Sequence, residues 1–253
     1  MSTLLVDAGN TRLKWGVLGD GCIHDTGHVL QAELADHGIA ILRARIPRNV
    51  DAVWVSNVAG PTFATRLAGV LSAHCDCEVR FVHTSREALG LRNAYDDVRH
   101  MGVDRWVAMV GAWHSLHRAV VVVDAGTAVT IDAVDSDGQH LGGQIIPGIG
   151  LMARALGSAT SDIPVFEISD ESTARGTGMF GRSTEAGVAN GAVNAVIGAI
   201  ERAVDVLNAS GCEPVTVLTG GDASAMLPAL AKTPAYRPNL VLERLAALLD
   251  HDL

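Results

Sequence analysis

The stretches "DAGNTRLK", residues 7–14, and "DAGTAVTI", residues 124–131, place the same short pattern at two points of the chain. Each follows an apolar run, "TLLV" in the first case and "AVVVV" in the second, and interrupts it with an Asp, then a Gly, then a hydroxyl. A Gly after a strand lets the backbone approach a ligand closely, and the amides and hydroxyl that follow can donate to phosphate oxygens. These residues also form ordinary turns, but their repetition favours a duplicated phosphate-binding turn.

The segments around the two turns predict the same order of elements in each half. "STLLVDAG", "RLKWGVLG" and "CIHDTGHVL" indicate three antiparallel strands, because they are short, apolar and separated by Gly and Asp. Further strands are predicted for "DAVWVSNV" and "EVRFVHT", and helices for Thr62–Ala73 and Val103–Leu116. The pattern starts again with "AVVVVDAG", "AVTIDAVD" and "HLGGQIIPG", followed by helices from about Gly150 and Gly178 and by the strand "PVTVLTGGDA".

This repetition predicts two similar α/β domains with mixed sheets, residues 1–117 and 118–253. The length is sufficient for two hydrophobic cores. No linker rich in Pro, Gly or Ser separates the halves, so we expect them to pack tightly around a cleft. In that cleft the two turns would hold a triphosphate from both sides.

Composition and charge exclude several classes of function. The chain has 253 residues, of which 48% are hydrophobic and 4% aromatic, and its formal net charge is −9. An acidic chain without basic runs argues against a nucleic-acid partner. The sequence shows neither a signal peptide nor an apolar window long enough to span a bilayer, so we expect a cytoplasmic protein without membrane contact. The four cysteines do not form a disulfide framework, and "HCDC", residues 74–77, lacks the second ligand pair of a structural zinc site.

The polar residues near the two turns suggest how a nucleotide could be held. An Asp at a strand end offers a carboxylate to hydrated Mg²⁺, which prefers one or two carboxylates, waters and phosphates. Lys14 follows Asp7 by seven residues, so the returning strand could bring its ammonium to the same phosphates; the alternative is an exposed strand lysine. "TGGDA", residues 219–223, could approach a base or a phosphate at a helix N-terminus, or form a plain helix cap.

The segment "YDDVRHMGVDRW", residues 95–106, places Asp104 and Arg105 at the start of a predicted helix. One interpretation is an N-cap Asp followed by a solvated Arg. The other is a carboxylate that accepts a proton from a substrate hydroxyl, beside a guanidinium that fixes the substrate or the transferring charge. Local sequence alone does not decide between them.

Taken together, these motifs resemble those of the type III pantothenate kinases, a bacterial family in the acetate kinase, sugar kinase, Hsp70 and actin superfamily. "DAGNTRLK" and "DAGTA" match its two phosphate motifs, which indicate the superfamily only. Tyr95 with "GVDR", residues 102–105, followed by "GGQIIPG", residues 142–148, points to this family. "STEAGVANG", residues 183–191, and "TGGDA" also fit, so the resemblance runs nearly end to end.

The resemblance implies two duplicated actin-like (ribonuclease H-like) domains with an ATP cleft between them. It implies that ATP phosphorylates the primary hydroxyl of pantothenate, the first step of coenzyme A synthesis, with Asp104 as the general base. The implied pantothenate contacts are Tyr95, Gly102, Val103, Asp104, Arg105 and Thr184. The implied ATP contacts are Asp7, Ala8, Gly9, Asn10, Thr11, Arg12, Leu13, Lys14 and Thr127.

The resemblance further implies metals and a partner chain. Asp7 would organise Mg²⁺, through water or directly, and Asp124 would bind a monovalent cation, K⁺ or NH₄⁺. The family is homodimeric, and we expect the small-residue segment "AGVANGAVNAVIGAI" to lie at the interface. Val98 and Met101 stand where many members have Pro and Leu, which concerns the geometry of the substrate loop more than its reacting groups.

Two alternatives stay open from the sequence. One keeps the fold but changes the acceptor to a sugar or a carboxylic acid, and the Tyr95 and Gly102–Arg105 constellation argues against it. The other is a nucleotide-binding regulatory or accessory protein without turnover. Retention of Asp7, Asp104 and Asp124 favours the enzyme, because a purely structural relative could lose all three.

Overall fold

A computed structural model describes residues 2–159 and 179–249. Contacts between residues divide this part of the chain into two units. Residues 2–89, 95–111 and 240–249 form the first unit, and residues 90–94, 112–159 and 179–239 belong to the second. The main boundary between the units therefore lies near residue 111, and the residues from 240 onward belong again to the first unit. The sequence prediction placed a single boundary near residue 117.

The first unit is built on a five-stranded mixed sheet. Its strands are β1 (Thr3–Ala8), β2 (Arg12–Gly19), β3 (Cys22–Leu30), β4 (Ala52–Asn57) and β5 (Val79–Phe81). They lie in the order β3-β2-β1-β4-β5, with β1–β3 antiparallel and β4 and β5 parallel to β1. The predicted meander and both predicted parallel strands are confirmed.

Helices and short connections complete this part of the chain. The elements are α1 (Gln31–His37), a 3-10 helix (Ile39–Ala44), α2 (Pro61–Cys75), the short strands β6 (Glu87–Ala88) and β7 (Leu91–Arg92), a second 3-10 helix (Val98–His100) and α3 (Val103–Leu116). Pro61 opens α2, where the missing N–H of proline costs nothing. The helix predicted over Val103–Leu116 is found with those bounds.

The second unit repeats the sheet of the first. Its strands are β8 (Val120–Ala125), β9 (Ala128–Val134), β10 (His140–Pro147), β11 (Val215–Thr219) and β12 (Ala235–Tyr236). They lie in the order β10-β9-β8-β11-β12, again an antiparallel meander followed by parallel strands. The helices are α4 (Ile149–Ala159), α5 (Thr184–Ala209) and α6 (Ala223–Met226). The C-terminal helix α7 (Leu240–Leu249) follows and belongs to the first unit.

Each unit has its own aliphatic core. In the first, Leu4, Val6 and Leu13 pack with side chains of β4 and α2. In the second, the all-valine run of β8 is buried on both faces and packs with the apolar face of α5. Burial of such side chains supplies roughly 1.5–3 kcal/mol each, so a chain with few aromatics still forms two cores.

The long helix α5 lies in the second unit. The predicted start near Gly178 lies outside the described residues, and the helix begins at Thr184, where the Ser183 hydroxyl accepts from the Ala186 amide at 3.1 Å. Val193, Val196, Ile197 and Ile200 are buried in its own unit, whereas Gly191, Ala195 and Gly198 are exposed, so the placement of this segment at a dimer interface stays a prediction. Among the described residues, no helix is both long and apolar enough to cross a membrane.

Candidate active site

The first repeated turn joins β1 to β2 in the first unit. The Gly9 amide donates to the Arg12 carbonyl at 3.0 Å and closes the turn. Gln31, at the start of α1, holds it from outside, because its side chain donates to the Gly9 carbonyl at 2.9 Å and its amide to the Thr11 carbonyl at 2.8 Å. This arrangement leaves the side chains of residues 10–12 exposed to solvent.

The side chains of two residues of the predicted ATP stretch lie in the core. Ala8 and Leu13 are completely buried, so only their backbone could meet a nucleotide. Asp7 and Lys14, by contrast, are half-buried and directly paired across β1 and β2. Ser56 of β4 is the partner of Asp7 on the other side. Since directly opposed residues lie on one face of a sheet, the first unit carries the row Lys14, Asp7, Ser56 at the end of β1.

The second repeated turn joins β8 to β9 and is shorter and more tightly enclosed. The Gly126 amide donates to the Ala128 carbonyl at 3.1 Å. A Cβ at Gly148 would lie 2.1 Å from the Gly126 carbonyl oxygen, and one at Gly220, whose φ is +102°, would lie 2.2 Å from the Ala125 carbonyl oxygen. Only glycine fits at these two positions. The motifs "GGQIIPG" and "TGGDA" therefore converge on "DAGTA".

Asp124 occupies the place in the second sheet that Asp7 has in the first. It pairs with Thr130 of β9 and with Thr219 of β11. The corresponding row is thus Thr130, Asp124, Thr219. Thr127, the predicted ATP contact, lies exposed in the turn itself, and its carbonyl accepts from the Gly148 amide at 2.9 Å.

The predicted substrate motif begins helix α3. Asp104 is the second residue of the helix, and its Oδ1 accepts from the Arg105 amide at 2.8 Å. The positive end of the helix dipole stabilises the charge of this carboxylate. Arg105 is only 7% exposed, so its interpretation as a solvated arginine is wrong. Its guanidinium donates from Nη1 to the Tyr95 hydroxyl at 2.9 Å, which brings the two separated parts of the motif together.

The loop between Tyr95 and α3 is fixed by side chains that the sequence analysis did not single out. The Arg86 guanidinium donates to the carbonyls of Tyr95 and Asp96 at 2.6 and 2.8 Å. The Thr84 hydroxyl donates to the Met101 carbonyl at 3.0 Å, and the Met101 side chain is buried. No spacing signal distinguishes Thr84 or Arg86 in the sequence.

Val98, the other departure from the family pattern, begins a 3-10 helix whose N-cap is Asp97. The Arg99 side chain and amide hold the pKa of that carboxyl at about 2, so Asp97 carries its charge at neutral pH. The loop is therefore ordered by capping at Val98.

A short connection links the substrate motif to the first turn. The Val58 amide, just after β4, donates to the Ala8 carbonyl at 3.0 Å. A Cβ added at Gly102 would lie 3.9 Å from Val58 Cγ1. The turn that carries Asp7 and the helix start that carries Asp104 thus flank one loop of the first unit.

Thr184 lies in the second unit. It is exposed at the first turn of α5, beside an open groove of about 400 Å³ between α4 and α5. The groove is lined by Met152, Leu156, Thr184, Gly187, Val188, Gly191 and Ala192. Apart from the Thr184 hydroxyl, these side chains are apolar or absent.

The candidate metal residues are single carboxylates at strand ends. Within the described residues, no group of three His, Cys, Asp or Glu side chains could hold a metal. A lone carboxylate suits a cation that completes its shell with water, phosphate and hydroxyl oxygens, and such hydroxyls are present on Ser56 beside Asp7 and on Thr130 and Thr219 beside Asp124. In the "HCDC" segment Cys75 is buried, and burial raises the pKa of its thiol to about 11, which does not suit a thiolate ligand.

Comparison with solved structures defines the class of fold. The chain resembles a Campylobacter jejuni protein described as a Baf family transcriptional activator, with a TM-score of 0.60, 18% identity and 98% of each chain covered. It also resembles Lmo2764 from Listeria monocytogenes, described as an N-acetylmannosamine kinase, with a TM-score of 0.56, 14% identity and full coverage of both chains. Two similar mixed sheets with these neighbours define the actin-like fold of the sugar kinases.

Sequence comparison then identifies the family. The sequence model described as type III pantothenate kinase matches residues 3–206. The type III pantothenate kinase of Paracidovorax citrulli is 36% identical, with 98% of each chain covered. That of Aromatoleum aromaticum is 38% identical, again with 98% of each chain covered. The chain belongs to the type III pantothenate kinase family, and it is a kinase.

Proposed function

We propose that this chain transfers the γ-phosphoryl group of ATP to the primary hydroxyl of pantothenate, with Asp104 as the base. The observation that carries the assignment of roles is the proximity, within the first unit, of the Asp7 turn, Val58 and the helix start with Asp104. A phosphoryl transfer requires one group that holds the phosphates of the donor and one that accepts the proton of the acceptor hydroxyl. The turn and the carboxylate beside this loop could supply the two.

Tyr95 and Arg105 hold the acceptor. Arg105 is buried and hydrogen-bonded to the Tyr95 hydroxyl, so the two side chains form one rigid polar surface beside Asp104. A guanidinium is suited to the carboxylate of pantothenate. Asp104 takes the proton of the pantothenate hydroxyl while the hydroxyl oxygen forms a bond to the γ-phosphorus. The bond between the γ-phosphorus and the β-phosphate oxygen breaks, and ADP leaves.

The first turn binds the triphosphate. The exposed residues Asn10, Thr11 and Arg12 offer donors, and Lys14 adds a positive charge on the neighbouring strand. Asp7 would hold Mg²⁺ through water, and Mg²⁺ when bound neutralises charge on the phosphates. Lys14 lies beside Asp7 in the sheet, so it compensates the negative charge on the same face.

The second turn binds a monovalent cation at Asp124. The hydroxyl-bearing residues Thr130 and Thr219 flank this carboxylate on its own sheet face, and oxygen donors with one negative charge suit K⁺ or NH₄⁺. Thr127 meets ATP from the same turn. Turnover should be lower in a buffer that contains only Na⁺, and equal rates in Na⁺ and K⁺ would remove this role of Asp124.

We also propose that the active form is a homodimer. The groove between α4 and α5 is apolar and open. Beside it, Leu151 and Leu156 on α4 are 39% and 42% exposed. Ile145 on the edge strand β10 is 62% exposed. A second copy would cover these side chains. Light scattering at micromolar concentration should give the mass of two chains, and a monomer mass would exclude the dimer.

The reaction is tested with the purified protein, ATP, Mg²⁺ and K⁺. Pantothenate should be converted to its phosphate ester, detected by mass spectrometry together with equimolar ADP. Hexoses, N-acetylmannosamine and acetate serve as matched acceptors, and phosphorylation of one of them in place of pantothenate would contradict the assignment. ATP binding without any phosphoryl transfer would favour the regulatory alternative.

A further inference from the structure

His140 and Asp132 form a buried pair in the second unit that the reaction described above does not use. Their exposed fractions are 1% and 2%. His140 Nε2 lies 3.3 Å from Asp132 Oδ1, and the Ala94 amide donates to His140 Nδ1 over 3.4 Å. Since Nδ1 accepts this bond, the proton of the neutral imidazole is on Nε2 and is directed to the carboxylate. The hydrogen bonds thus connect β9, β10 and the residue before Tyr95.

Such a pair is expensive to bury. Removing a carboxylate from water costs several kcal/mol after relaxation, and an apolar replacement of similar volume is often as stable. Stability alone therefore does not explain the pair. Its geometry suggests a different role, because the carboxylate fixes the tautomer and orientation of the ring so that Nδ1 faces the Ala94 amide.

The chain before Tyr95 is attached to the β9–β10 turn at several points. The Arg92 amide donates to the Gly138 carbonyl at 2.8 Å, and its Nε donates to Gln139 Oε1 at 3.2 Å. The turn is itself fixed, since Asp135 Oδ1 accepts from the amides of Asp137 and Gln139 at 2.9 and 2.8 Å. His140 bonds to Ala94, the residue directly before Tyr95.

We propose that His140, oriented by Asp132, is a positioning residue for Tyr95 and hence for pantothenate. The inference rests on the proposed function, in which Tyr95 contacts the substrate. Arg105 and Arg86 fix the hydroxyl and carbonyl of Tyr95, and the bond at Ala94 fixes the backbone on the N-terminal side. Without that bond the Tyr95 backbone gains rotational freedom, which weakens the binding of the acceptor and not the binding of ATP.

Two substitutions separate positioning from packing. His140→Asn keeps an acceptor near the place of Nδ1 but does not reach Asp132, whereas His140→Gln reaches Asp132 with its amide and loses that acceptor. We expect His140→Gln to raise the KM for pantothenate about five- to tenfold, as the loss of one hydrogen bond does, with the KM for ATP unchanged. His140→Asn should restore the KM for pantothenate, although both variants melt at lower temperature than wild type.

Hydrogen exchange provides a readout that does not depend on turnover. The Ala94 amide should exchange slowly in wild type and in His140→Asn, and faster in His140→Gln. His74→Gln is the control, because the His74 ring also contacts a backbone group, the Ile46 carbonyl at 2.9 Å, but belongs to a different part of the chain; the kinetics of this variant should equal those of wild type.

The possible outcomes separate the two proposals. Equal effects of His140→Gln and His140→Asn on the KM for pantothenate and on Ala94 exchange would overturn the positioning role. An inactive wild type would overturn the proposed function instead, and the exchange rates alone would then decide whether His140 fixes Ala94.

Discussion

Asp7 and Asp124 occupy the same place in two sheets of the same strand order, yet their neighbours differ. Lys14 and Ser56 flank Asp7, while Thr130 and Thr219 flank Asp124. A lysine beside a carboxylate compensates its charge and adds a donor for anions, whereas two threonines add only neutral oxygens. This difference agrees with the proposed roles, polyphosphate binding in the first unit and cation binding in the second.

The two turns also differ in length and enclosure. Three residues separate β1 from β2, and two separate β8 from β9. The first turn presents exposed side chains at residues 10–12, while the second is closely contacted by Gly148 and Gly220. A longer, open turn can adapt to a ligand that enters and leaves at each turnover. A short turn that Gly148 and Gly220 contact closely provides a more fixed backbone.

The largest effect is expected from removing the proposed general base, Asp104 of the first unit. Asp104→Asn keeps the shape of the side chain but removes the base, so kcat should fall by about 10²- to 10⁴-fold. The KM for ATP should barely change, because the phosphate turn is intact. Steady-state kinetics with both substrates measure the two effects. A near wild-type kcat would show that the base lies elsewhere and that Asp104 serves only the helix start.

Asparagine at each repeated aspartate should produce defects that differ in kind. For Asp7→Asn we expect a loss of activity of about 10- to 100-fold, the usual cost of disturbing a residue that orients a metal shell. High Mg²⁺ should relieve that loss in part. Asp124→Asn should lose its response to K⁺ and gain nothing from Mg²⁺. Titrations of both ions on both variants provide the comparison, and identical responses would show that the turns are functionally equivalent.

A smaller effect is expected from exchanging the neighbours of the two aspartates. Lys14→Thr should raise the KM for ATP roughly tenfold, the equivalent of one charge-assisted hydrogen bond. Thr130→Lys places an ammonium beside Asp124, so the variant should no longer distinguish K⁺ from Na⁺. Initial rates in the two salts measure this. A Thr130→Lys variant still activated by K⁺ would show that the cation does not bind next to Thr130.

Sequence reasoning could predict the repeated sheets because their signal is local. Apolar runs end in Asp-x-Gly in both halves, and the return strands follow at short distance, so the antiparallel pairing of the first three strands of each sheet follows from turn chemistry and alternation. The start of α3 was predictable for the same reason. Helix α7 was missed, although the leucine spacing of "LVLERLAALL" indicates an amphipathic helix.

The contacts of the candidate site were less predictable, since they depend on residues distant in the chain. The local sequence left Arg105 either solvated or substrate-fixing, and only the fold shows it buried and bonded to Tyr95. The His140–Ala94 bond joins residues 46 positions apart, with no spacing rule to reveal it. The assignment of Asp7 to ATP and Asp124 to a cation came from resemblance, and it stays a prediction until the titrations are done.

The smallest expected effect concerns the two cores at alkaline pH. Burial raises the pKa of the Cys75 thiol in the first unit from 9.0 to about 11. The neutral thiol therefore stabilises the folded state fully below pH 9.0, and this contribution is lost as the pH rises through about 11. Between pH 9.0 and about 11, the melting temperature of Cys75→Ala should therefore fall less than that of wild type, as measured by calorimetry. Cys212→Ala, in the second unit, is the control, and its melting temperature should fall with pH as that of wild type does. If the melting temperature of Cys75→Ala also fell as steeply as that of wild type, ionisation of the Cys75 thiol would not contribute to the loss of stability at alkaline pH.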